Sequence, residues 1–164
     1  MTNPKSTKQD AGSDAGKALV AKWGKASMAA GFTALPDVVF HQQKVLKLKP
    51  LDVLILLHLA SYWWKPGSNP WPSKAKIADA VDVTPRTVQR SIEKMEKLGY
   101  VQRIMRKAAA GDNLSNEYDL SGLVQAASKL AEQKLALKGQ RDSEDKSQRE
   151  APLSFALIKG GKKS

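Results

Sequence analysis

Val88, Ile92, Met95 and Leu98 recur at intervals of four, three and three, the apolar stripe of an amphipathic helix. Local chemistry marks its ends. Thr84 is a good N-cap, Pro85 suits the first helical position because its missing N–H costs nothing there, and Gly99 supplies a left-handed stop. Just upstream, Ile77, Ala78 and Val81 share one face of a shorter helix, capped by Ser73 behind Pro72. Asp82-Val83 breaks the pattern between them; Asp tolerates the left-handed turn conformation, and Val83 can point back into the core. The spacing therefore predicts two helices joined by a tight turn over residues 72–99.

The flanking segments supply a body for this pair. Leu51 to Trp64 is apolar on nearly every side, which predicts a helix at the centre of the domain, opened by Pro50. Before it, Pro36 opens a short helix with Asp37 in its first turn, and Val38, Val39 and Phe40 pack inward in part. Lys65-Pro66-Gly67-Ser68-Asn69-Pro70 is a loop flanked by Trp63, Trp64 and Trp71. Those rings are expected to close the edge of the core, with stacking on unpaired bases as the alternative. After Gly99, Tyr100 to Lys107 begins as a strand, Ala108 to Ser115 turns, and Asn116 to Leu120 returns as a second strand. Ser121 caps a last helix to about Leu137, in which Leu123, Leu130 and Leu137 recur every seven residues. A homodimer seam and packing on the chain's own domain are equally open.

Residues 1–31 read as a flexible basic arm, with a weak helix around Leu19, Val20, Trp23 and Met28, interrupted at Gly24, as the alternative. Residues 32–137 form the domain. Residues 138–164 read as a disordered charged tail. Within it, Leu153, Phe155 and Leu157 belong to an apolar island, 153–158, suited to docking a partner protein or to folding back. The expected fold class is mainly α with a small β-hairpin (α+β), with disordered basic tails.

Charge narrows the partner. The 164 residues carry a net charge of +11, spread along the chain, with an apolar fraction of 41%. Such a surplus favours nucleic acid or an anionic membrane. The longest apolar run, Leu51 to Ala60, is too short to cross a bilayer, and the first 30 residues hold no apolar run that would make a signal peptide. A cytoplasmic, nucleoid-associated protein without a membrane partner is expected. With no cysteine, disulfides, Cys-based zinc sites and thiol catalysis drop out. Gly16-Lys17 and Gly24-Lys25 fail as phosphate loops, because the glycine five positions earlier and the hydroxyl after the lysine are both missing. His58 has only His41 as a possible fellow ligand and reads as a structural histidine. No cofactor, no metal and no enzymatic activity are expected.

The helix that starts at Thr84 carries the chemistry. At 100° per residue, Arg86, Arg90, Glu93 and Lys97 form one row away from the apolar stripe, flanked by Thr87, Gln89 and Lys94. Arg reads guanine edges, Gln reads adenine, and Lys neutralises phosphate. Glu93 is expected to pair with Arg90 and Lys97, with acceptance from a cytosine edge as the alternative. The same interface takes in Ser73, Lys74 and Lys76 of the first helix, Thr84 and Pro85 at the start of the second, and Arg103, Arg106, Lys107 and Asn113 of the hairpin.

Ile77-Ala78, Val83-Thr84, Arg86-Thr87-Val88, Arg90, Ile92, Leu98-Gly99-Tyr100-Val101 and Arg103 resemble the winged helix-turn-helix of bacterial transcriptional regulators and of phage and plasmid replication proteins. The resemblance spans roughly residues 32–125, its specific part 72–120, and it departs at Asp82, where the family usually has glycine. It implies a double-stranded-DNA ligand, with the hairpin as the wing. Two roles follow from it: a sequence-specific transcriptional regulator, and an origin-binding replication protein of a phage, plasmid or other mobile element.

Overall fold

The computed structural model describes residues 14–107 and 114–150. Among them, in chain order, are α1 (Asp14–Trp23), α2 (Lys25–Ala30), α3 (Asp37–His41), α4 (Pro50–Ser61), α5 (Lys74–Ala80), α6 (Pro85–Lys97), β1 (Gln102–Ile104), β2 (Glu117–Asp119) and α7 (Ser121–Glu150). The fold is mostly helical with one two-stranded antiparallel sheet, β1 against β2, in which Arg103 faces Tyr118. The chain divides into two units, Met1–Ser128 and Lys129–Ser164.

The first unit holds the core. Ile55, Leu56 and Leu59 of α4, Ile77 and Ala78 of α5, and Val88, Ile92 and Met95 of α6 are all buried. Val39 of α3, Val101, Tyr118 and Leu120 beside the hairpin, and Leu123 and Ala127 of α7 complete it. Burial pushes the Tyr118 phenol above its ordinary pKa, because the charged form would sit away from water. Tyr118 N–H donates to the Pro70 carbonyl at 2.9 Å, so the end of the long loop lies along β2 and extends the sheet by one bond.

Several helix ends follow from local chemistry. The Ser73 hydroxyl accepts the Lys76 N–H, and the Thr84 hydroxyl accepts the Thr87 N–H, both at 3.2 Å. Asp82 takes φ 54, the left-handed turn that the residue type permits, and Val83 N–H closes the turn on the Ala78 carbonyl. Gly99 stops α6 at φ 78, while Tyr100 N–H reaches back to the Met95 carbonyl.

The structure departs from the sequence expectation at five places. Residues Asp14–Trp23 and Lys25–Ala30 are helical, separated at Gly24, where a flexible arm was expected; neither helix buries a residue. Helix α4 stops at Ser61 rather than reaching Trp64: Tyr62 leaves helical geometry and the Ser61 hydroxyl bonds back to the His58 carbonyl. The tryptophans do not close the core edge but stand exposed. The N-cap of α7 is served from outside the helix, with the Asp119 carboxylate accepting Ser121 N–H at 2.8 Å. Finally, α7 continues to Glu150 instead of ending near Leu137. Residues 138–150 have no apolar face, yet Lys, Gln, Arg and Glu are strong helix formers and Lys146 pairs with Glu150 one turn on.

Gly122 shows how the start of α7 is seated. Leu123 N–H donates to the Tyr100 carbonyl at 3.0 Å. A Cβ at position 122 would overlap the Gly99 carbonyl oxygen, whereas one at Gly139 would meet nothing within 4 Å. Since the obstacle is backbone and cannot swing aside, Gly122→Ala should cost about 1–3 kcal/mol in urea unfolding. Gly139→Ala should instead stabilise its helix by about 0.5–1 kcal/mol. Equal effects at the two sites would refute this seating.

Candidate nucleic-acid interface

Helix α6 packs against α5 and α4, and its apolar stripe is consumed by that packing. The opposite face is left to solvent. Arg86, Arg90 and Lys97 are exposed there, and among the described residues none of the three forms an ion pair. Glu93 interrupts the row, but not as a partner for Arg90 and Lys97. Its Oε1 accepts from Gln89 Nε2 at 2.8 Å. That hydrogen bond, with the nearby charges of Arg103, Lys97 and Arg86, holds the Glu93 carboxyl below the ordinary carboxylate range.

Gln89 is tied at both ends of its amide. Lys74 Nζ, an obligate donor, reaches Gln89 Oε1 at 3.0 Å, and Glu93, an obligate acceptor, takes Nε2. Only one orientation of the amide satisfies both neighbours. Among the described residues, one lone pair on the oxygen and one N–H on the nitrogen have no side-chain partner, and these are the kinds of valence that adenine N6 and N7 require.

Other expected site residues have different employment. Lys94 turns inward, where its Nζ meets Asp52 at 2.6 Å. Asp52 is only 4% exposed. Burial alone would raise its carboxyl pKa, but hydrogen bonds from Lys94, Ser91 and Lys49 N–H, and the Lys94 charge, outweigh it and leave the pKa below that of an ordinary aspartate. Arg103 clamps β1 to α6: its guanidinium lies 3.0 Å from Glu96 Oε2, and its N–H donates to Glu96 Oε1 at 3.1 Å. Arg106 Nε lies 3.2 Å from Glu117 on the other strand. Lys107 is exposed at the end of the described hairpin arm, and Lys76 is exposed on α5. Ser73, Thr84 and Pro85 sit at the two helix starts, with Thr87 Oγ1 2.9 Å from Thr84 Oγ1. Asn113, expected at the hairpin turn, lies outside the described residues.

The expected contacts for a second chain are only partly free. Leu123 is buried in its own domain and Leu130 is half-buried, so neither is an open seam; Leu137 is 56% exposed. Leu153, Phe155 and Leu157 lie outside the described residues. No helix among the described residues is long and apolar enough to cross a membrane.

Residues 46–101, from just before α4 to the residue preceding β1, match the family model of a helix-turn-helix domain. No curated protein matches the chain. Among solved structures, the N-terminal domain of DnaD protein from Geobacillus kaustophilus HTA426 is 20% identical, with a TM-score of 0.51 over 75% of this chain and 96% of that one. A possible transcriptional regulator from Methanosarcina mazei Go1 is 20% identical, with a TM-score of 0.40 over 66% of this chain and 85% of that one. The first likeness establishes the fold alone, and the second carries no argument. With α5, the Asp82 turn and α6 in sequence and the β1–β2 hairpin directly behind them, residues 46–101 form a helix-turn-helix domain and the hairpin gives it the winged helix-turn-helix fold.

Proposed function

We propose that this chain binds duplex DNA sequence-specifically and acts as a transcriptional regulator, by occupancy rather than by catalysis, in the cytoplasm. Helix α6 lies in the major groove and the hairpin contacts the backbone or the minor groove beside it. One observation carries this reading: on a helix whose other cation is paired with an acid, Arg86, Arg90 and Lys97 stay exposed along the face opposite the core and form no ion pair among the described residues. Unpaired arginines near a helix start are costly to concentrate unless an anion meets them, and base edges reward their forked geometry. Selection of bound fragments from random duplexes should return one recurring motif. Uniform recovery of all sequences, with release in modest salt, would end the proposal.

Gln89 is the adenine reader in this scheme, and Lys74 is its positioning residue. Lys74→Met removes the donor that orients the amide while keeping the aliphatic stem. It should lower discrimination at one adenine by about 1 kcal/mol, roughly fivefold, with a smaller loss on unrelated duplexes. A purely electrostatic role for Lys74 would show as equal loss on every sequence.

A second reading, marking a replication origin on a mobile element, uses the same interface. The exposed tryptophans around the loop at 62–71 favour it, since origin DNA is melted during initiation while promoter occupancy needs no open strand held by the repressor. Recovery of origin fragments rather than promoter fragments from host or element DNA would decide between the two.

A further inference from the structure

Three tryptophans at the two ends of the 62–71 loop are open to solvent: Trp63 by 37%, Trp64 by 38% and Trp71 by 50%. Indole rings are usually buried for the area they withdraw from water, so three left open in one loop point to a surface that something covers. Cations stand among them. Lys76 Nζ lies 5.1 Å from the Tyr62 ring centroid, and the Arg106 guanidinium lies 5.3 Å from that of Trp71. The Tyr62 and Trp64 rings are 5.9 Å apart, and Trp64 Nε1 donates to the Ser61 carbonyl at 2.9 Å, which fixes the indole. Lys76 belongs to α5 and Arg106 follows β1, so this band links the end of α4 to the first turn of α5 and to the hairpin.

We propose that the band is a second nucleic-acid site, which takes the unpaired bases of a single or melted DNA strand. The tryptophans supply faces on which bases stack, and Lys76 and Arg106 supply charge for the phosphates between them. Stacking needs an exposed base face, which a closed duplex withholds and an unpaired strand offers at every nucleotide. The mixture also argues against an apolar peptide as occupant: Lys65 and Lys76 form no ion pair among the described residues, and Glu117 occupies only one side of Arg106. A ring can carry one cation and still offer surface, as the half-open Trp71 does. The site draws on residues other than the α6 row.

The test uses the full chain with a labelled oligo-dT strand and, separately, with a fully paired duplex. Oligo-dT should quench tryptophan emission and bind with measurable anisotropy change at low salt. Trp64→Leu and Trp71→Leu keep apolar bulk but remove the ring face; each should weaken oligo-dT binding at least about fivefold while leaving duplex affinity within about twofold. Lys76→Gln, on an exposed position that cannot unsettle the core, should weaken oligo-dT binding and reduce its salt slope by about 0.7. Arg86→Ala should do the reverse of the tryptophan variants, losing duplex and keeping oligo-dT, so the two sites fail separately. No binding of oligo-dT by the wild-type chain overturns the proposal. So does equal binding by folded tryptophan variants, which would assign the strand to the basic segments alone.

Discussion

Asp52→Ala should destabilise the protein by about 3 kcal/mol in urea unfolding at pH 7, the largest loss expected from any single polar residue here. Asp52 gathers three donors: Lys49 N–H at 2.7 Å, Lys94 Nζ at 2.6 Å and the buried Ser91 hydroxyl. One carboxylate thereby closes the first turn of α4 and ties it to the middle of α6. Alanine leaves the Ser91 hydroxyl and the Lys49 N–H without their acceptor, each costing on the order of 1–3 kcal/mol. Lys94, partly exposed, turns to water and limits the loss. Lys94→Met should cost nearly as much, roughly 2–3 kcal/mol, because it leaves the buried Asp52 carboxylate without its cation, and the two remaining hydrogen bonds and the methionine stem offset only part of that.

The same carboxylate sets a pH dependence with a definite sign. Its folded pKa lies below that of an ordinary aspartate, so the unfolded chain takes up a proton first as the pH falls. The contribution of Asp52 is complete above about pH 5 and is lost as the pH drops through its lowered folded pKa. The difference between wild type and Asp52→Ala should shrink from pH 7 to pH 3. A difference that stays constant over that range would mean that the carboxyl titrates alike in the folded and unfolded chain, and one that grows would mean that it is neutral when folded.

How much of this was legible beforehand depends on how far apart the partners lie in the chain. The caps Ser73, Thr84 and Pro85, the Asp82 turn and the Gly99 stop are local, and each is where residue type alone put it. Lys94, Arg103 and Arg106 were expected on the DNA face, since wheel position shows which way a residue leaves the helix but not which acid it meets. Lys94 is 42 positions from Asp52, and no local pattern couples them. A signal did exist: an aspartate inside an otherwise apolar helix needs a cation once buried, and α6 was the element expected to cover it. The tryptophans misled for the opposite reason. Their size argues for burial, but a loop interrupted by Pro66, Gly67 and Pro70 does not carry them back over the core. Residues 138–150 misled because absence of an apolar face was read as absence of structure, whereas helix propensity acts without one.

The redistribution of cations sharpens the prediction for DNA. Arg86 and Arg90 stand one turn apart on the exposed face of α6 and form no ion pair among the described residues, which leaves each able to meet a base edge. Arg90→Ala and Arg86→Ala should each cost about 1–3 kcal/mol on the selected duplex, roughly five- to 150-fold in Kd, and should flatten preference at one base position. Lys107→Ala should weaken all duplexes alike and lower the salt slope by about one. Arg103 and Arg106 should behave differently from both. Their guanidinium groups already bond Glu96 and Glu117, so alanine there should loosen the hairpin's attachment before it changes the reading of any base. Competition of the five variants against cognate and unrelated duplexes separates these classes. If Arg86→Ala and Arg90→Ala lost the same factor on every sequence, both would be phosphate contacts, and base selection would have to come from Gln89 or from the shape of the duplex. If Arg103→Ala lost sequence preference while its melting temperature held, the Glu96 clamp would be a resting position that DNA displaces, and the reading surface would extend from α6 onto β1.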